Sequence, residues 1–173
     1  IFFVDLRPFP SYTVMIWNIQ LGGLGQKGGL FMHHFQYVPK NQWAPFRNEI
    51  IHLLHDVQND LREKFTFQYQ LIGSASRNMV TMDPTTNIGF DFDFNIIIND
   101  RDLFPPKQFK EMLTRRINSH SSKYGYAPAE DSTRVITIKV KDRKNARILH
   151  SVDFAIVHDF IDDEGYDSQE YIH

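Results

Sequence analysis

The run Phe90-Asp91-Phe92-Asp93-Phe94-Asn95-Ile96-Ile97-Ile98 constrains this chain more than any other stretch. Side chains alternate across a β-strand, so Phe90, Phe92, Phe94, Ile96 and Ile98 share one face while Asp91, Asp93 and Asn95 share the other. The aromatic face demands burial, and burying it fixes where the carboxylates point. Side chains two apart on a strand lie about 6.6 Å from one another and point the same way. Asp91 and Asp93 can therefore converge on one hard cation or on a pair of them. The solvated face of an amphipathic strand is the plainer reading of any Asp-x-Asp. Aspartate is nevertheless disfavoured inside strands, and a divalent cation offsets the repulsion between two of them.

The flanking segments suit that strand. Phe67 to Ile72 reads as a first strand ending at Gly73, and Gly73-Ser74-Ala75-Ser76-Arg77 then opens a turn or short helix. The free backbone N–H groups of such a turn, with a serine hydroxyl, can hold phosphate oxygens. Met82 to Gly89, with Asp83-Pro84 and Asn87, reads as a surface loop. From Ala44 the period becomes helical, with Phe46, Ile50, Leu53, Leu54, Val57 and Leu61 on one face and Pro45 in the first turn. His52 and His55 lie three apart on that helix; further metal ligands are not apparent, and a polar helix flank explains them equally. A second amphipathic helix after Pro105-Pro106 carries Phe109, Met112, Leu113 and Ile117, and Tyr124-Gly125 closes it. Arg134 to Lys141 alternates as a strand, Asp142 to Ala146 fits a hairpin link, and Ile148 to Val157 is its partner strand. Asp153 is the one acid inside that partner. It shares a face with Leu149, Ser151, Ala155 and Val157, apolar company for a carboxylate that has no cation.

Length and charge narrow the classes. A chain of 173 residues, 42% apolar and 14% aromatic, predicts one domain with ample core. The absence of cysteine excludes disulfides and thiolate metal sites, and with no signal-like segment it predicts a cytoplasmic protein. No apolar run approaches the ~18 residues of a membrane span, so no membrane partner is expected. A net charge of −2 argues against gripping long nucleic acid by its phosphates alone. The densest basic strip, Lys139, Lys141, Arg143, Lys144 and Arg147, reads as a solvated hairpin or as a polyphosphate or nucleic-acid contact. The chain begins at Ile1 without an initiator methionine, as a processed or trimmed fragment does, and 1–31 reads as an N-terminal extension or linker ahead of a core at 32–173. Within the extension, 11–21 could form a strand. Gly23-x-Gly25-x-x-Gly28 formally matches a dinucleotide fingerprint, but the required βαβ context does not follow, and a flexible linker explains it.

A Gly-Ser turn after a strand, Asp91-x-Asp93 on the next strand and Asp153 inside a later one form a single pattern. It resembles the polymerase-β-type nucleotidyltransferase superfamily over about residues 45–157. The resemblance implies an α+β fold, a mixed or antiparallel sheet of about four or five strands with helices packed on one face. It implies that Gly73 and Ser74 hold the β- and γ-phosphates of a nucleoside triphosphate such as ATP, with Arg77 adding charge. It further implies that Asp91, Asp93 and Asp153 bind two Mg2+ or Mn2+ ions, and that a nucleoside monophosphate passes to a hydroxyl with release of pyrophosphate. Asp153 would be the proton acceptor, and Lys139 and Lys141 further triphosphate contacts.

Sixteen residues separate Ser74 from Asp91, and Asn78 stands where many members carry glycine. The long connection is more similar to that of second-messenger synthases related to oligoadenylate synthase and the cyclic dinucleotide enzymes. In those branches a C-terminal helical region completes the pocket, and its absence is expected here, because the chain ends sixteen residues after Val157. Charge favours a small molecule, a nucleotide or a protein hydroxyl as acceptor over long nucleic acid. Two other classes stay open: a nucleotide- or partner-binding relative without turnover, and another Asp-x-Asp metal enzyme such as a nucleotide-sugar glycosyltransferase. The latter needs neither the Gly-Ser turn nor Asp153.

Overall fold

The computed structural model describes residues 34–86, 88–132 and 134–172, all within the unit Met32–His173. The strand-like stretch 11–21 and the glycine run after it lie outside the described residues. The elements in order are β1 (Gln36–Tyr37), α1 (Lys40–Leu61), β2 (Phe67–Ile72), α2 (Gly73–Ser76), β3 (Thr81–Met82), β4 (Phe90–Ile98), α3 (Pro106–Ser121), β5 (Glu130–Asp131), β6 (Val135–Asp142), β7 (Arg147–Ile161) and β8 (Asp167–Tyr171).

The sheet is mixed, with the path β2-β4-β7-β6-β5 and β8 added on β7. Only β4 and β7 run parallel; every other neighbouring pair is antiparallel. The long β7 serves two partners along one edge. Its pairing with β6 reaches Ala155 and its pairing with β8 starts at Val157. Val157 also pairs with Ile97 of β4, so β8 must lie on the edge away from β4, continuing the row of β6. β1 and β3 form a separate two-stranded pair.

Phe90, Phe92, Phe94, Ile96 and Ile98 are all buried, in one core with Ile50, Leu53, Leu54 and Val57 of α1 and Phe109, Leu113 and Ile117 of α3. Each such side chain contributes about 1.5–3 kcal/mol when fully buried, so the two helices cover this face of the sheet and leave the other to the acids. Polar ties lock the helices together. Asp56 accepts from Lys123 and from the Tyr124 hydroxyl, both at 2.8 Å, and Asp60 is bonded to His120 at 2.9 Å. α1 starts at Lys40, a turn before Ala44, because Trp43 is buried with its ring 6.1 Å from Phe92. Pro45 thus falls inside the helix, where its missing N–H costs one hydrogen bond. The His52 and His55 pair is the polar flank: His55 bonds the Tyr69 hydroxyl at 2.8 Å.

Two features depart from a plain reading. The connection before β4 is anchored rather than loose, since Asp83 is buried and accepts from the backbone of His34 and from Thr85. Gly89 lets β4 start against β7, because a β-carbon there would overlap the Leu149 carbonyl. Deep in the core, His150 is buried with its Nε2 at 2.9 Å from the Tyr126 hydroxyl and its ring stacked on Phe90. Burial lowers its pKa to about 4, so at neutral pH it is an uncharged aromatic ring with one polar partner. No helix among the described residues is long and apolar enough to cross a membrane.

Candidate active site

The outer face of the sheet gathers the acids. β2 ends with Ile72 opposite Asp93, and the chain then turns at Gly73, in the left-handed region at φ +65°, into the single turn α2. On the other side of β4, Asp93 stands directly opposite Asp153, and Asp91 opposite Ser151. Neighbouring strands lie about 4.8 Å apart, so parallel pairing makes Asp93 and Asp153 side-by-side neighbours although the paired positions are 60 apart in sequence. The Asp93 carboxyl titrates above the ordinary carboxylate range, first because it is partly buried and then because Asp153 and Asp91 carry like charge beside it.

Hydroxyls orient the two flanking acids. Thr137 of β6 donates to Asp153 at 2.5 Å, and Ser151 donates to Asp91. Ser74 is exposed and its carbonyl accepts the N–H of Arg77 at 3.1 Å, while the Ser76 hydroxyl closes back on the Gly73 carbonyl at 2.8 Å. Gly73, Ser74 and Arg77 therefore lie on one turn, and Gly73 lies against Asp93. Lys139 and Lys141 are both bonded to Glu130, and Arg147 pairs with Asp142 at 3.2 Å. Three of the five strip cations are thus ion-paired locally, on two carboxylates.

Among the described residues no three histidines or carboxylates form a ready-made cation cage. The donor set still fits a hard divalent ion: Asp93 and Asp153 present only oxygen, are adjacent, and repel one another as anions.

The structure also brings in residues that alternation did not single out. Arg134, Val135 and Tyr171 line a hollow of about 260 Å3 together with Asp93 and Asp153. Asn95 is buried although it shares the polar face, because it donates to Gln169 of β8 at 2.5 Å, and Gln169 in turn donates to Asp159 at 2.7 Å. Arg101 pairs with Glu170, so β8 is tied to the end of β4 from two sides.

No protein-family model and no curated protein matches the sequence. Solved structures match through the fold. The Bradyrhizobium diazoefficiens CD-NTase CdnG in complex with GTP aligns with a TM-score of 0.56 over 78% of this chain and 38% of its own, at 16% identity. The fold is nucleotidyltransferase-like. E. coli MS115-1 CdnC, in a complex with HORMA-deltaN and with ATP, aligns at TM-scores of 0.48 and 0.45, with 18% and 19% identity over 79% of this chain. This chain spans 38% of the CdnG chain and 43% and 44% of the two CdnC chains.

Proposed function

We propose that residues 32–173 are the catalytic core of a metal-dependent nucleotidyltransferase, which moves a nucleoside monophosphate from a nucleoside triphosphate to a hydroxyl acceptor and releases pyrophosphate. The observation that carries this reading is the pairing of Asp93 with Asp153 across parallel strands, with Gly73 lying against Asp93. The closeness of the turn to the acids supports giving the triphosphate to the turn and the reacting phosphorus to the acids. Asp91, Asp93 and Asp153 would hold magnesium or manganese. Such an ion, when bound, lowers the pKa of an attacking hydroxyl and neutralises charge on the leaving pyrophosphate.

The chain's own groups position and exchange the proton. Gly73 and Ser74 hold the β- and γ-phosphates, and Arg77 adds positive charge there. The acceptor oxygen bonds to the α-phosphorus, the bridging bond to the β-phosphate breaks, and its electron pair leaves with pyrophosphate. Asp153, held by Thr137, accepts the hydroxyl proton. GTP, as bound by CdnG, and ATP are the first donors to test.

The test is turnover by the full chain with α-labelled ATP or GTP and Mg2+ or Mn2+. Released pyrophosphate and a labelled product are expected, both lost in Asp93→Asn and Asp153→Asn. A folded protein that binds triphosphate and metal without releasing pyrophosphate from it, whatever acceptor is offered, overturns transfer and leaves a binding relative.

A further inference from the structure

The outer face of the sheet carries its acids in two rows. Asp93 and Asp153 share one row; Asp91 and Ser151 share the other, two residues back along the same parallel strands. Two residues of strand separate the rows by about 6.6 Å. The Ser151 hydroxyl donates to Oδ1 of the exposed Asp91 and so ties that carboxylate sideways, within its own row. Lys139, opposite Ser151 on β6, is bonded to Glu130 instead. Thr137 acts differently on Asp153. It donates to Oδ1 from β6, on the side of β7 away from Asp93, and so leaves the side facing Asp93 open. After burial, Asp153 and then Asp91 raise the Asp93 pKa, so Asp153 is the stronger charge neighbour. Among the described residues no third carboxylate joins these two in a ready-made cage. Asp91 therefore stands apart, and the hydroxyl of Ser151 is what holds it there.

Charge decides what the two rows can carry. One divalent ion between Asp93 and Asp153 balances both carboxylates. A second ion, about 3.5–4 Å from the first in a two-metal site, would face one carboxylate and a divalent neighbour of like sign. A triphosphate supplies the negative charge that this second position lacks. Resting on the function proposed above, we propose that Ser151 is a positioning residue that holds Asp91 in reserve. In the nucleotide-free chain Asp91 stays on the Ser151 hydroxyl, and a single divalent ion binds between Asp93 and Asp153. When triphosphate is present, Asp91 gives up the hydroxyl and turns to a second ion. The serine thereby ties completion of the metal pair to arrival of the substrate.

The probe is Mn2+ alone, titrated against the full chain without nucleotide, with free ion read from its electron paramagnetic resonance signal. The parent is expected to take up one ion firmly and a second weakly. Ser151→Ala is expected to leave the first uptake unchanged and to strengthen the second about fivefold, the scale of one ordinary hydrogen bond. Ser151→Thr, which keeps the hydroxyl, is expected to match the parent curve. In an Asp91→Asn background the change to alanine should do nothing, because the serine acts through that carboxylate. A second uptake that Ser151→Ala leaves unchanged or weakens overturns the proposal. So does a gain that persists in Asp91→Asn, or a parent chain that takes up no Mn2+ or two ions equally. The two readings fail separately. The expected Mn2+ curves in a chain that releases no pyrophosphate keep the role of Ser151 and remove transfer. Pyrophosphate release with a curve that Ser151→Ala does not move keeps transfer and removes the role.

Discussion

A β-carbon at position 73 would stand 3.2 Å from the carboxyl carbon of Asp93 and closer still to Oδ2. Register creates this closeness, since Ile72 is opposite Asp93 and the next residue turns over the acid in the left-handed conformation. Glycine answers both demands at once.

Gly73→Ala therefore combines two costs. The left-handed backbone costs about 1–2 kcal/mol for a residue with a side chain, and Asp93 must move. Urea unfolding is expected to show at least that loss. Pyrophosphate release is expected to fall further than the population of folded protein explains.

Asp93→Asn separates stability from activity. A carboxyl whose folded pKa is raised binds its proton more tightly when folded, so its contribution to stability declines as pH rises from the unfolded value through the folded one. Above the folded pKa the full penalty is present, and asparagine removes it. Without metal the variant is expected to melt no lower than the parent, while transfer drops by at least about 100-fold. Melting both proteins with and without Mg2+ checks this: only the parent should gain from the ion.

Ser74→Ala should weaken triphosphate binding modestly, by the roughly 1.5–3 kcal/mol of one hydrogen bond to a charged group. Ser74→Glu should do much worse through repulsion. Calorimetric titration with a non-hydrolysable triphosphate measures both, and equal affinities across the set would take the phosphate role away from this turn.

His150 predicts an acid limb in the stability curve. Its ordinary pKa of 6.5 falls to about 4 in the fold. The unfolded chain therefore takes up a proton that the folded chain refuses. Stability from this group is complete above about pH 6.5 and is lost toward pH 4, on the order of 3 kcal/mol in all. Chemical unfolding between pH 7 and pH 4 should show that slope, and the double variant Tyr126→Phe with His150→Phe should flatten it without stranding a phenol.

Much of the architecture was legible because local patterns carried it. The strand at 90–98 and the helical faces of Ile50 to Leu61 and Phe109 to Ile117 follow from burial at a regular period. The pairing of Asp93 with Asp153 is different in kind: parallel register over such a separation leaves no local mark. β8 has no such signature, because Asp-Ser-Gln-Glu-Tyr has no apolar alternation and is held by the backbone of β7. That strand also explains why Asn95 is buried on a face whose pattern promises solvent. Arg134 and Tyr171 gain their place from where β6 and β8 meet, which no spacing in the chain encodes.

The parallel pairing of β4 and β7 has a kinetic side. Closing it encloses α3, β5 and β6, so the two central acids meet through one of the least local contacts in the domain. Such contacts form late, after the entropy of a long loop has been overcome. On refolding, helical signal from α1 and α3 can return before Asp93 has found Asp153. Competence to transfer should then trail the recovery of secondary structure, since a chain with its helices formed and β7 unpaired has the right residues but no site.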